Sequence, residues 1–182
     1  MGIPNILSII RLLMAPVFVL VYFSGRQYAN LLAAALYIAA SVTDIIDGII
    51  ARKFNMTSEL GKILDPLGDK VMTFTVLICI TVSRLIPVWV VLIFAIKEIL
   101  MGLGGLFLHR KVSNIPHSNY LGKAATVVFF LTCTALMIFP QIPKDVTNLM
   151  VAAAILIMLI AFCSYIRTFA GIVKKGDSTD AK

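Results

Sequence analysis

Along the chain, long stretches of Leu, Ile, Val, Ala and Phe are broken at intervals by charge, Pro and Gly. A run of about 20 apolar residues is enough to cross the hydrocarbon layer of a bilayer. Six such runs are predicted, near residues 5–24, 28–52, 62–84, 87–108, 120–140 and 147–172. The fold class expected is therefore all-α, a polytopic membrane protein of six transmembrane helices. One membrane domain covers residues 1–173 and a polar tail covers 174–182, with no internal repeat and no low-complexity tract.

Composition strengthens this reading. Of 182 residues, 60% are hydrophobic, more than a soluble core of this size needs. The opening MGIPNILSIIR has no basic patch before its apolar stretch and no small-residue cleavage site, so the first span is expected to stay in place. Ile6 stands where myristoylation needs Ser or Thr. Cys79, Cys133 and Cys163 all fall inside apolar runs, are odd in number and lack metal-ligand spacing, so they read as core residues.

Charge gives the orientation. With six spans, one side collects Arg11, Arg52, Lys53, Lys62, Lys70, Arg110, Lys111, Lys123, Arg167, Lys174, Lys175 and Lys182, against Arg26, Arg84 and Lys144 on the other. The positive-inside rule then puts both termini in the cytoplasm. The net charge of +7 reads as topology and attraction to anionic lipid, not as a nucleic-acid footprint, because no aromatic-interleaved basic platform accompanies it.

Candidate chemistry is concentrated in Ser41–Val71, which holds Asp44, Asp47, Asp65 and Asp69 out of nine acidic residues in the whole chain. At about 100° per residue, a helical second span sets Asp44, Asp47, Gly48, Ala51 and Arg52 on one face. The third span likewise aligns Gly61, Asp65, Gly68 and Asp69, and Pro66 is tolerable if it lies in that helix's opening turns. A short connection makes the two helices antiparallel neighbours, so four carboxylates can converge at the cytoplasmic edge. Like charges in or near hydrocarbon call for a cationic partner. All-oxygen ligation suits Mg²⁺ or Mn²⁺, and two such ions about 4 Å apart form the usual clamp for displacement at phosphorus. The alternative is that these acids cap helix starts or pair with Arg52, Lys53, Lys62 and Lys70, which leaves the accompanying small residues unexplained.

The spacing Asp44-x2-Asp47-Gly48-x2-Ala51-Arg52-x8-Gly61-x3-Asp65-x3-Asp69 resembles the signature of the CDP-alcohol phosphotransferases at all eight fixed positions. The opening Pro4-Asn5-Ile6-Leu7-Ser8-x2-Arg11 is similar to the start of bacterial phosphatidylglycerophosphate synthases. The resemblance implies six transmembrane helices with cytoplasmic termini, commonly as a homodimer, in a bacterial-type plasma membrane with the active site on the cytoplasmic side. It implies transfer of a phosphatidyl group from CDP-diacylglycerol to an acceptor alcohol, with release of CMP. It further implies a two-metal centre of Mg²⁺ or Mn²⁺ held by Asp44, Asp47, Asp65 and Asp69, with Asp69 also the general base. Gly48, Ala51 and Gly61 would let the CDP-lipid lie close to the helices, Arg52 would bind its diphosphate, and Asn5 and Ser8 would lie near the nucleotide.

A phosphorylated acceptor such as glycerol 3-phosphate needs basic partners. The candidates are Arg110 and Lys111 in the loop 109–119, Lys123, and Arg167 at the end of the sixth span; the alternative for Arg110 and Lys111 is anchoring at the membrane surface. Members that use glycerol 3-phosphate often show Gly-Lys-x-Lys-Thr here, whereas this chain has Gly122-Lys123-Ala124-Ala125-Thr126. That departure keeps a cardiolipin synthase, with phosphatidylglycerol as acceptor, open as the alternative, while the N-terminal match makes glycerol 3-phosphate the acceptor expected first. Rivals from other classes are an intramembrane prenyltransferase and a divalent-cation transporter. Within the fourth span Lys97 and Glu98 are sequence neighbours pointing about 100° apart, so they are not expected to neutralise each other. Gly102, Gly104 and Gly105 could serve helix contact or relieve packing, and His109 and His117 read as solvated loop residues.

Overall fold

The computed structural model describes residues 3–53, 59–111 and 120–179. The described residues form six helices: α1 Ile3–Tyr22, α2 Ala29–Lys53, α3 Glu59–Val82, α4 Val88–Lys111, α5 Tyr120–Ile138 and α6 Lys144–Thr179. Among the described residues there is no strand. Among the described residues four stretches are long and apolar enough to cross a membrane: Ala29–Ile46, Val88–Gly105, Tyr120–Ile138 and Lys144–Thr168. α1 contributes a shorter described apolar stretch, Ile9–Tyr22. α3 spends its first half on Glu59, Lys62, Asp65, Asp69 and Lys70, leaving an apolar remainder, Val71–Val82, about 18 Å long at 1.5 Å per residue.

Helix ends are set by local chemistry. α3 ends in the six-residue pattern of a Schellman cap, with the Leu85 amide donating to the Ile80 carbonyl at 3.0 Å and the Arg84 amide to Thr81 at 2.9 Å. Arg84 takes the left-handed position at φ 57°, where glycine is usual. After α1, Gly25 turns the chain with φ 66°. α3 begins at Glu59, so Pro66 falls seven residues into it instead of in its opening turn. Its ring nitrogen has no proton for the carbonyl four residues back.

The chain divides into two compact units. Met1–Leu85 with Cys133–Ile142 form one, and Ile86–Thr132 with Pro143–Lys182 the other. In the first, α1 packs on both α2 and α3, and α2 on α3. α1 buries Arg11, Ala15, Phe18 and Tyr22 at 3–4-residue spacing and exposes Leu13, Val17 and Leu20. This is the reverse of a soluble amphipathic helix: leucines face outward and the arginine inward, the arrangement suited to lipid surroundings. Ala33, Tyr37 and Ala40 of α2 and Met72, Val76 and Ile80 of α3 fill the same interior. Small residues let the helix backbones approach closely.

Hydroxyls within the helices turn back on their own backbones. Ser41 donates to the Tyr37 carbonyl at 3.0 Å, Thr75 to Val71 at 2.8 Å, Thr81 to Leu77 at 2.7 Å and Thr132 to Val128 at 2.9 Å. Such bonds satisfy a polar side chain where no water reaches it.

In the second unit α4 packs on α6. Phe94 of α4 stacks on Phe129 of α5 with ring centroids 5.0 Å apart. A Cβ added at Gly105 would meet the Tyr165 hydroxyl of α6 at 3.9 Å, while one at Gly102 would meet nothing within 4 Å. Gly105 therefore faces a helix contact and Gly102 open space. Cys79 and Cys133 are buried, as core residues should be. Cys163 is exposed on α6, because an apolar face of a membrane helix can look outward as readily as inward.

Candidate active site

Both halves of the acidic motif are helical. α2 runs unbroken through Asp44, Asp47, Gly48, Ala51 and Arg52, and α3 through Gly61, Asp65, Gly68 and Asp69. α2 and α3 are in contact and are joined by residues 54–58 alone, so the acidic C-terminal turns of one and the acidic N-terminal turns of the other lie at the same end of a hairpin.

Asp44 is held by a partner from a third helix. The Arg11 guanidinium of α1 makes an ion pair through Nη1 with Asp44 Oδ1, and the two side chains are 2% and 38% exposed, respectively. In the sequence Arg11 is one of many cytoplasmic-side charges and the end of the N-terminal motif. In the fold it is buried on the inner stripe of α1 and reaches the first acid of the motif. Two features of the sequence carry that signal, the 3–4-residue register with Ala15, Phe18 and Tyr22 and the absence of any other charge in α1. Register alone could not say which stripe faces inward.

Asp69 is exposed at the side of α3. It acts electrostatically on Tyr37 of α2 and on its neighbour Lys70. Tyr37 is also hydrogen-bonded to Thr73, one turn beyond Asp69 on α3. Tyr37, Ser41, Asp44 and Gly48 follow one another at three- or four-residue steps along α2, so the face of α2 that carries Asp44 and Gly48 is the one that meets the Asp69 region of α3. Gly48 is half-buried and Gly68 buried.

The side chains of Asn5, Ser8, Asp47, Ala51, Arg52, Gly61, Asp65, Arg110 and Lys111 fall outside the described residues, as does the segment 112–119 with His117. Among the described residues no group of three or more His, Cys, Asp or Glu is gathered as a metal site. Asp44 and Asp69 are the two described members of the expected set of four carboxylates.

The remaining candidates lie in the second unit. α4 continues to Lys111, so Arg110 and Lys111 end a helix instead of starting a loop, where cations complement the helix C-terminus. Lys123 is exposed near the start of α5. Arg167 is exposed, and α6 continues beyond it to Thr179. Lys97 and Glu98 do form an ion pair, against the expectation from their 100° separation, and are 15% and 13% exposed. The long lysine chain bends back to its neighbour, and its ammonium also lies 5.1 Å from the Phe94 ring centroid.

Known proteins extend the picture. The sequence model of the CDP-alcohol phosphatidyltransferase family matches residues 1–166. The CDP-diacylglycerol–glycerol-3-phosphate 3-phosphatidyltransferase of Aquifex aeolicus is 31% identical over 172 residues, covering 91% of this chain and 94% of that protein. The Rickettsia bellii protein of the same name is 33% identical over 170 residues, covering 93% and 92%. A CMP-forming cardiolipin synthase of Streptomyces coelicolor is 36% identical over 130 residues, covering 68% of this chain and 59% of that protein.

Proposed function

Because the chain belongs to the CDP-alcohol phosphatidyltransferase family, we propose that it transfers the phosphatidyl group of CDP-diacylglycerol to glycerol 3-phosphate, giving phosphatidylglycerophosphate and CMP. The observation that carries the choice of acceptor is coverage. Similarity to the two glycerol-3-phosphate enzymes runs through more than 90% of both partners, whereas the similarity to the cardiolipin synthase stops at 59% of that protein.

The oxygen donors fit a hard divalent cation. Asp44 keeps 38% of its side chain accessible despite its guanidinium partner, and Asp69 is exposed. Together with Asp47 and Asp65 they would hold Mg²⁺ or Mn²⁺. Bound there, such ions neutralise the diphosphate and acidify the acceptor hydroxyl. Asp69 takes the hydroxyl proton as the acceptor oxygen attacks the lipid-bearing phosphorus. The bond from that phosphorus to the CMP oxygen breaks, and CMP leaves with the electron pair. Gly48 and Gly61 would give the nucleotide room at the helix surfaces, Arg52 would bind the diphosphate, and Asn5 and Ser8 would lie near the nucleotide. Arg110, Lys111, Lys123 and Arg167 are the candidates for the acceptor phosphate.

The same reading makes all six helices span a bacterial plasma membrane with both termini and the acidic hairpin end in the cytoplasm, where the nucleotide and glycerol 3-phosphate are found. The polar reaction then runs at the membrane surface while the diacylglycerol tails stay in lipid. A homodimer completes the proposed assembly.

A cardiolipin synthase is the second reading, favoured by Ala124-Ala125 in place of the x-Lys of the glycerol-3-phosphate pattern and by the Streptomyces similarity. Purified protein is given CDP-diacylglycerol with Mg²⁺ or Mn²⁺ and CMP release is followed with glycerol 3-phosphate or phosphatidylglycerol, with Asp69→Asn as control. Release with glycerol 3-phosphate supports the proposal. Release with phosphatidylglycerol alone replaces it with the second reading, and no release with either overturns both.

A further inference from the structure

Arg11 is a buried guanidinium in a helix that carries no other charged residue. Taking a cation out of water into such surroundings is expensive unless geometry and partners are very good. Its observed partner is the first acid of the Asp44–Asp69 motif, reached from a different helix. An arginine differs from a lysine at such a place, because its planar fork fixes the plane of a carboxylate where an ammonium acts as a point charge.

We infer that Arg11 is a positioning residue for Asp44: from α1 it sets the orientation of the carboxylate on α2 and balances its charge when no divalent cation is present. This rests on the reading of Asp44 as a cation ligand given above. Ligating carboxylates are themselves held by outer hydrogen-bond partners, and loss of such a partner commonly weakens metal binding by about 10–100-fold. Arg11 touches neither substrate nor the reacting phosphorus in this assignment. Its effect passes through Asp44, and the motif Pro4–Arg11 thereby acquires a structural link to the acidic motif more than 30 residues away in sequence.

The test is Mn²⁺ binding to full-length protein in lipid nanodiscs, read by the electron paramagnetic resonance signal of free Mn²⁺ without any substrate, alongside thermal unfolding. Arg11→Lys, Arg11→Met and Asp44→Asn are compared with the unaltered chain. Arg11→Lys keeps the charge and decides the question should Arg11→Met not fold. The expected result is Mn²⁺ affinity weakened about 10–100-fold in Arg11→Lys. Turnover of that variant should recover at high Mn²⁺ with no change in the KM for CDP-diacylglycerol. Mn²⁺ affinity equal to that of the unaltered chain would overturn the inference, even if the unfolding temperature dropped, since a purely structural arginine predicts that outcome. No Mn²⁺ binding by the unaltered chain would overturn the cation-ligand reading itself, and the inference with it.

Discussion

The Arg11–Asp44 pair is buried unequally, and its two halves should therefore respond unequally to removal. Arg11 is 2% exposed and Asp44 38%. Asp44→Ala strands a cation with almost no access to water, the situation in which breaking a buried pair costs about 3–5 kcal/mol. Solvent at the Asp44 end tempers this, and about 3 kcal/mol is expected. Arg11→Met leaves behind a carboxylate that water can reach, and fills the buried site with an apolar side chain of similar reach. Its cost should be near that of an exposed pair, about 1 kcal/mol. The double variant Arg11→Met/Asp44→Ala strands neither charge and should also lie near 1 kcal/mol. It would fall about 3 kcal/mol short of the sum of the single effects, a coupling of the size expected for residues in direct contact.

The assay is thermal unfolding of purified protein in detergent with EDTA, so that no divalent cation intervenes. For a chain of this length each kcal/mol shifts the midpoint by about 2–4 °C. Asp44→Ala should melt roughly 6–12 °C below the unaltered chain, and adding Arg11→Met should restore most of that loss. If Arg11→Met alone is as damaging as Asp44→Ala, or if the double variant melts with Asp44→Ala, the buried-charge argument is wrong.

Other outcomes are expected from the site and from the helix ends. Asp65→Asn should abolish CMP release while leaving the unfolding temperature within a few degrees, and activity persisting at saturating Mg²⁺ would remove Asp65 from the proposed ligand set. Arg52→Ala should raise the KM for CDP-diacylglycerol by at least tenfold with little change in the KM for the acceptor; equal effects on both would take the diphosphate role away from Arg52. Arg84→Gly relieves a left-handed residue at φ 57° in the cap of α3, where the relief of about 1–2 kcal/mol is partly offset by the greater freedom of glycine in the unfolded chain. A midpoint raised by about 2 °C is expected, and a lowered one would show that the arginine side chain contributes more than its backbone strain removes. Gly105→Ala places a methyl group 3.9 Å from the Tyr165 hydroxyl, an ordinary contact. The midpoint should stay within what about 0.5 kcal/mol produces, and a large loss would mean that α4 and α6 pack more tightly there.

Much of the helical layout was legible because the chain uses one simple device, apolar runs separated by charge. The six expected runs overlap all six helices, and α2 and α3 are helical through every position of the acidic motif. The same device misplaces ends. Taking charge as the boundary stopped the fourth span at residue 108, yet α4 carries Arg110 and Lys111 in its last turn, where cations are favourable to a helix and are no sign of a loop. Lys97 and Glu98 pair despite their separation for a different reason. The angle between adjacent Cα–Cβ directions constrains the first bonds of a side chain, whereas a lysine ammonium lies several rotatable bonds further on and reaches back to its neighbour.

Arg11 shows why inward and outward cannot be read from hydrophobicity in a membrane helix. On a soluble helix the polar side is the outer one, so Leu13, Val17 and Leu20 would have been assigned to the core and Arg11 to solvent. Lipid removes that preference, because an outer leucine costs nothing there, and the only residues that must turn inward are those needing a polar partner. The useful signal in α1 is therefore its single arginine, not its leucines. Once Arg11 is taken as an inner position, Ala15, Phe18 and Tyr22 follow from the helical repeat, and all three are buried. The partner remains to be found, and a carboxylate on a neighbouring helix is what the need for charge balance asks for. α2 offers two, and Asp44 is the one that shares a face with the buried Tyr37.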